Sequence, residues 1–269
     1  MSYASLIREV KRGDTIVSMR YRQWLVQHGD DPLPDWVIGR IFKQMLATPR
    51  VRNGTFSASS SSQCLRRQEL AFLGVQPEFG MAPDARLMNV FNDGKWRHLR
   101  WQANLLAAGI LDRIEVGLPW PRMRAMGTID GAGFVPADHP RVSWRNKEFG
   151  WELKGVNPFD FKKTADKDKQ KDEHLAQVHR YFVQGGFDLY CILYEDKATN
   201  TWKEWVIEPD PVLIAEAELE IQELNNAINN NQLHPMLPSC RARMGKVWEQ
   251  CPYTRSNGVC ENAGDWPVP

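Results

Sequence analysis

The chain has 269 residues, 42% of them hydrophobic and 25% charged, which is enough to bury one large core or a core with an appended lobe. Its formal net charge of +1 excludes a global field that draws the whole molecule onto a polyanion, so any such binding must come from local groups of Arg and Lys. Residues 1–14 carry charges throughout without the apolar run of a secretory signal, and the longest apolar stretch, 189–194, is too short to cross a bilayer. The expectation is a cytoplasmic protein with reduced thiols and no membrane partner.

In chain order, Asp14 is placed to cap a helix over 15–27 and Asp35 another over 36–46, which makes 1–54 a peripheral N-terminal helical extension. The Ser-rich stretch 55–62 reads as a linker into a helix over 64–74. Asn92 or Asp93 opens a longer helix that passes His98 and ends at Gly109. The period then changes to two, giving strands over 114–118, 125–131 and 142–155. Residues 158–171 read as a charged loop, and 172–184 as a helix stopped by Gly185 and Gly186. Residues 189–194 form a strand buried on both faces, with 201–208 as its hairpin partner. Pro211 opens a long acidic helix to about Asn230, and the rest is an irregular tail. This order predicts an α/β fold, a mixed central β-sheet flanked by helices, with 55–269 as the main domain ending in a cysteine-bearing tail.

Chemistry concentrates in Gly150-Trp-Glu-Leu-Lys-Gly155. Alternate side chains of a strand share a face, so Glu152 and Lys154 point one way while Trp151 and Leu153 point into the core. A carboxylate that holds a hard cation beside a lysine near the attacked group suits hydrolysis. Gly127-Thr-Ile-Asp-Gly131 supplies a second carboxylate, Asp130, which a hairpin would bring to Glu152. Glu-x-Lys alone is a common tripeptide, and an ordinary charged strand carries it equally well. On the helix over 172–184, His174, Gln177 and Tyr181 share one face, with Leu175, Val178 and Phe182 toward the core; a solvated polar face gives the same pattern.

Taken together, Cys64, His98, Gly127-Thr-Ile-Asp130, Glu152-Leu-Lys154, Gln177-x-x-x-Tyr181 and three late cysteines resemble the PD-(D/E)XK nucleases of the RecB type. The likeness extends over about residues 55–260 and is greatest to the iron–sulfur branch, which includes the AddB nuclease domain, CRISPR-associated exonucleases and phage relatives. The resemblance implies a restriction-endonuclease-like sheet and catalysis by Asp130, Glu152 and Lys154. It implies Mg²⁺ or Mn²⁺ held by His98, Asp130, Glu152 and the Leu153 backbone carbonyl, with Gln177 and Tyr181 supporting the site and contacting DNA. It also makes Cys64, Cys240, Cys251 and Cys260 ligands of a [4Fe–4S] cluster, with zinc the alternative that four thiolates admit. Cys191, inside an apolar strand, reads as a core residue.

Arg66, Arg67, Arg97 and Arg100 flank the proposed site residues and are placed to meet phosphates. Lys162, Lys163, Lys167, Lys169 and Lys171 are nearly cancelled by Asp166, Asp168, Asp172 and Glu173. Trp96, Trp101 and Trp151 are expected in the core. The expected function is a metal-dependent DNA nuclease, an exonuclease on single-stranded DNA or DNA ends, with recombination or CRISPR-type proteins as partners. A non-catalytic DNA-binding module and a partner-dependent factor stay open at this point.

Overall fold

The computed structural model describes residues 14–47, 54–76, 85–253 and 259–262. Two helices, α1 (Ser18–His28) and α2 (Asp35–Met45), precede a short strand β1 (Phe56–Ser57), a 3-10 turn (Ala58–Ser60) and α3 (Leu65–Phe72). The long α4 (Ala85–Ala107) leads into β2 (Arg113–Trp120), β3 (Ala125–Phe134) and β4 (Glu148–Val156). Helices α5 (Pro158–Lys167) and α6 (Asp172–Gly185) carry the chain to β5 (Leu189–Asp196), β6 (Trp202–Ile207) and α7 (Pro211–Asn229). The tail holds the short helices α8 (Pro238–Arg241), α9 (Gly245–Gln250) and α10 (Val259–Asn262). No described helix is long and apolar enough to cross a membrane.

The six strands form one mixed sheet in the order β1-β3-β4-β5-β6, with β2 also paired to β3. β3 and β4 are antiparallel neighbours, whereas β4 and β5 run parallel, Glu152 opposite Ile192 and Lys154 opposite Tyr194. A parallel pair needs a crossover, and α5 and α6 provide it. β5 is buried along its whole length, as its unbroken apolar run predicts, because helices cover both faces. Leu189, Cys191 and Leu193 join Trp101, Trp151 and Phe149 in one core, while Tyr190, Ile192 and Tyr194 pack with Val178, Tyr181 and Phe182 of α6 in the other.

Several expected elements come out differently. The N-terminal helices are not peripheral: Val17, Tyr21 and Val37 belong to the first core, and the Tyr21 ring lies 4.6 Å from that of Trp101. Neither acid caps as expected. The residue before α1 is Val17 and that before α2 is Pro34, with Asp35 inside the first turn. The amides of Ile16, Val17 and Ser18 instead donate to the carboxylate of Glu204 on β6, at 2.6–3.2 Å. Residues 142–144 form a 3-10 turn, not strand, and the strand starts at Glu148. The expected charged loop is helix α5, opened by Asn157, whose side chain accepts the Asp160 amide, and by Pro158 at the first helical position. α4 begins at Ala85, well before Asn92. Trp101 and Trp151 are buried, but Trp96 is 58% exposed.

The Ser-rich stretch is ordered by a hub. Glu220 on α7 accepts Gln68 Nε2 at 2.7 Å and Ser61 Oγ at 3.3 Å, and pairs with the buried Arg180 at 3.0 Å.

Replacing Glu204 by Ala would leave the three buried amides at the entry to α1 without their acceptor. The expected cost is about 2 kcal/mol or more, because each buried donor forfeits its full desolvation. Urea unfolding of Glu204→Ala against wild type measures it, and an unchanged midpoint would remove Glu204 as the cap.

Candidate active site

The cluster forms where β3 and β4 part. Their ladder runs from Phe134 opposite Glu148 to Gly131 opposite Trp151 and stops there. At the next position the Asp130 carboxylate takes over, accepting the Leu153 amide on Oδ2 at 2.7 Å. Its other oxygen lies 3.1 Å from His98 Nδ1 on α4. Glu152 and Lys154 share a face as the strand period requires, with Lys154 Nζ donating to Glu152 Oε1 at 2.9 Å.

α6 closes the cluster from above. Gln177 accepts from Lys154 Nζ at 2.9 Å and donates to Glu152 Oε1 at 3.1 Å and to the Tyr181 hydroxyl at 2.7 Å. Tyr181 passes the chain on to the Thr128 carbonyl at 3.0 Å. Gly127 makes this approach possible: a Cβ there would lie 2.7 Å from the Tyr181 ring. The polar face of α6 is therefore turned onto the sheet, not into solvent.

Two further residues brace Asp130. Gln102, one helical turn beyond His98, donates to the Asp130 carbonyl at 2.9 Å and to Glu115 Oε1 at 2.8 Å. Glu115 lies on β2 with φ +50°, and the β2–β3 pairing skips from Ile114 to Val116 at that point. Gln102 was legible as an i, i+4 companion of His98. The backbone distortion at Glu115 carries no sequence signal, since Glu seldom adopts positive φ.

The electrostatics follow from two buried carboxylates side by side. Burial and then the nearby Asp130 push the Glu152 acid up from 4.5 to about 7, against the pull of Lys154 and His98. Burial disfavours the His98 imidazolium, but Asp130, with Glu152 and Glu115 beyond it, outweighs that and raises its pKa. Glu152 Oε2 is buried with no hydrogen-bond partner. A buried unpartnered carboxylate oxygen with a second acid nearby suits a divalent cation. Among the described residues the side chains are drawn onto one another, and no three His, Cys, Asp or Glu groups stand spaced as a ligand set.

Of the expected cysteine set, Cys64 and Cys251 line one cleft and Cys251 and Cys260 pack in one small core. Cys64 precedes α3, Cys240 lies in α8, Cys251 follows α9 and Cys260 lies in α10. Burial, then Cys64 and Cys251, push the Cys240 thiol up. Burial also raises Cys260, where Cys251 and Cys64 add to it and Arg66 opposes. Cys191 is a fully buried strand residue in the core.

The arginines divide. Arg66, only 4% exposed, donates to the carbonyls of Cys260 and His234, so its guanidinium clasps the tail and is not open to a phosphate. Arg97 bonds Asp93, Glu195, Asn200 and the Lys197 carbonyl, and Arg100 pairs with Glu195. Arg67 lines an open cleft of about 790 Å³ together with Ser61, Cys64, Lys154 and Gln177. The lysines of α5 and the turn after it are partly committed: Lys171 to Asp160 at 3.0 Å and Lys169 to Asp172 at 2.7 Å.

No family model matches the chain, and no curated protein matches it. Among solved structures it is similar to LHK-Exo, an alkaline exonuclease from Laribacter hongkongensis, seen alone and in complex with dAMP. Each pairing has a TM-score of 0.47 and 18% identity, over 66% of this chain and 90% of the other. It is also similar to SSO0001, with a TM-score of 0.44 and 14% identity over 83% of this chain and 96% of the other.

A raised carboxylic acid sets the sign of a pH effect. Folded Glu152 keeps its proton to a higher pH than the unfolded chain does, so metal-free stability falls as pH rises from about 4.5 to about 7. Thermal melts in EDTA across that window should show the fall, and Glu152→Gln should flatten it. A wild-type melting temperature that climbs through the same window would contradict the shift.

Proposed function

We propose that the chain is a metal-dependent DNA nuclease of the PD-(D/E)XK kind, hydrolysing phosphodiester bonds as an exonuclease on single-stranded DNA or DNA ends. The observation that carries the reading is the meeting of Asp130, Glu152 and Lys154 in one buried cluster with an unpartnered Glu152 oxygen. His98, Asp130, Glu152 and the Leu153 carbonyl would hold Mg²⁺ or Mn²⁺, which supplies the positive charge that a phosphodiester gains need of as water attacks.

The chain's own groups do the rest. Water adds to phosphorus, a P–O ester bond breaks, and the departing oxygen takes up a proton. Lys154 has three N–H donors, of which Glu152 and Gln177 take two, so the third is available to a phosphate oxygen. Gln177, fixed by Tyr181, holds the ammonium where it is needed and keeps it from rotating away. Asp130 is oriented by His98, the Leu153 amide and Gln102, so little reorganisation accompanies the build-up of charge.

For the tail, the reading is that Cys64, Cys240, Cys251 and Cys260 bind a [4Fe–4S] cluster as a structural clip. Cys64 and Cys251 line one cleft, and Cys251 and Cys260 pack in one small core, which supports it. The clip adds to the bonds that Arg66 and Glu69 of α3 already make to Cys260 and His234.

End-labelled single- and double-stranded DNA with Mn²⁺ tests the enzyme. Wild type should shorten the strand, Glu152→Ala should lose roughly a thousandfold or more in rate, and Lys154→Ala roughly a hundredfold or more, as losses of charge stabilisation do. Binding without cutting by a folded wild type would return the chain to the class of non-catalytic DNA-binding modules. For the clip, iron and sulfide are assayed after anaerobic purification. About four of each per chain are expected, together with a protease-sensitive tail in Cys260→Ala; zinc in their place, or an intact tail, would overturn it.

A further inference from the structure

His174 stands at a crossing that the proposed catalytic residues do not account for. It lies in the first turn of α6 and lines both clefts that open beside the cluster. One, of about 410 Å³, runs past His98, Asn157 and Lys171; the other, of about 790 Å³, runs past Ser61, Arg67 and Cys251. Lys154 and His174 are the two residues that line both. A strand passing from one cleft to the other has to cross them.

The ring of His174 is fixed in one protonation pattern by Tyr194, a buried residue of β5. The Tyr194 hydroxyl accepts the Lys171 amide at 2.9 Å and meets His174 Nδ1 at 2.5 Å. The hydroxyl proton needs an acceptor, and among these contacts only Nδ1 can serve. Nδ1 therefore carries the lone pair and Nε2 the proton. Nε2 is the unbonded nitrogen: the Glu173 carboxylate is 3.9 Å away, beyond hydrogen-bond reach. The side chain is 17% exposed, so this N–H is accessible at the cleft wall.

We propose that His174 presents its Nε2–H to a phosphodiester oxygen of a single strand where the two clefts meet, next to the phosphate that Lys154 serves. Tyr194 is the positioning residue that holds the donor. The inference rests on the nuclease reading for its substrate, and it adds a contact of distinct character. Burial, with Lys154 and Lys171 nearby, holds the His174 pKa down at about 3, so the ring binds as a neutral donor. A lysine or arginine on a phosphate releases counterions and steepens the salt dependence of binding; a neutral donor does not.

The experiment measures the Kd of a fluorescently labelled single-stranded oligonucleotide in Ca²⁺ at several salt concentrations, with melting curves for each protein. His174→Ala should weaken binding roughly tenfold, as loss of one hydrogen bond to a charged group does, without changing the slope of log Kd against log salt. His174→Gln, whose amide N–H reaches the same place, should stay within about threefold of wild type. Tyr194→Phe, losing only the hydroxyl, should weaken binding about threefold. Wild-type affinity in His174→Ala, equal loss in His174→Gln, or a slope lowered by about one would each overturn the proposal. If the His174→Ala protein is too unstable to measure, the other two variants decide by the same criteria. Cutting in Mn²⁺ is scored separately: a wild type that binds with this pattern but never cuts sinks the nuclease reading and still supports the contact.

Discussion

Everything at the site depends on one hydrogen bond, from the Leu153 amide to the Asp130 carboxylate. Two neighbouring strands ordinarily satisfy each other's amides with carbonyls, and β3 and β4 do so up to Gly131 and Trp151. Substituting a side-chain oxygen for the next carbonyl lets the strands separate without orphaning a buried donor. The separation opens room for His98 and Gln102 from α4, and it sets Asp130 beside Glu152. An apolar residue at 130 would leave the Leu153 amide unanswered and remove the second carboxylate at once. Structural and chemical roles are thus fused in one residue, which makes the parting of the strands and the charge density of the cluster inseparable.

A second set of bonds frames the larger cleft. α3 is gripped from two directions along its buried face: Gln68 by Glu220, and Arg66 and Glu69 by the tail. Glu69 is fully buried and accepts both the His234 amide and its imidazole. The Ser-rich turn, Cys64 and Arg67 are carried on this helix or just before it, so their position along the cleft wall is set from behind by buried charge. Such groups are costly to bury and cost still more when their partners are lost, which favours one arrangement of the tail over its alternatives.

How much of this was legible follows from which interactions are local. Glu152 and Lys154 share a face by the period of a strand, and Gln177 and Tyr181 by that of a helix, so the cluster could be written down before the fold. The unbroken run of β5 announced a doubly covered strand. Helix α5 was missed because its lysines and aspartates suggest a solvated loop, although Asn157-Pro158 is a sound start signal. Arg66 was misjudged for a different reason. Its neighbour Arg67 has the same chemistry and the same sequence setting, and only the position of residues 234 and 260 in space distinguishes a clasp from a cleft residue. The fold class was readable for the same reason as the cluster; the caps and clasps were not, because their partners lie far along the chain.

The carboxylate of Glu204 that caps α1 lies 188 residues downstream of Ile16. A ribosome adding about 5–20 residues each second would deliver it roughly 10–40 s after the helix it completes. Until then the amides of Ile16, Val17 and Ser18 lack that acceptor, although Trp101 and Asn104 of α4, the partners of Tyr21, are made much earlier. α1 therefore gains its last partners, Glu204 and the Trp202 ring, only when β6 has been made. The last hairpin to be translated thus completes the first described helix of the chain.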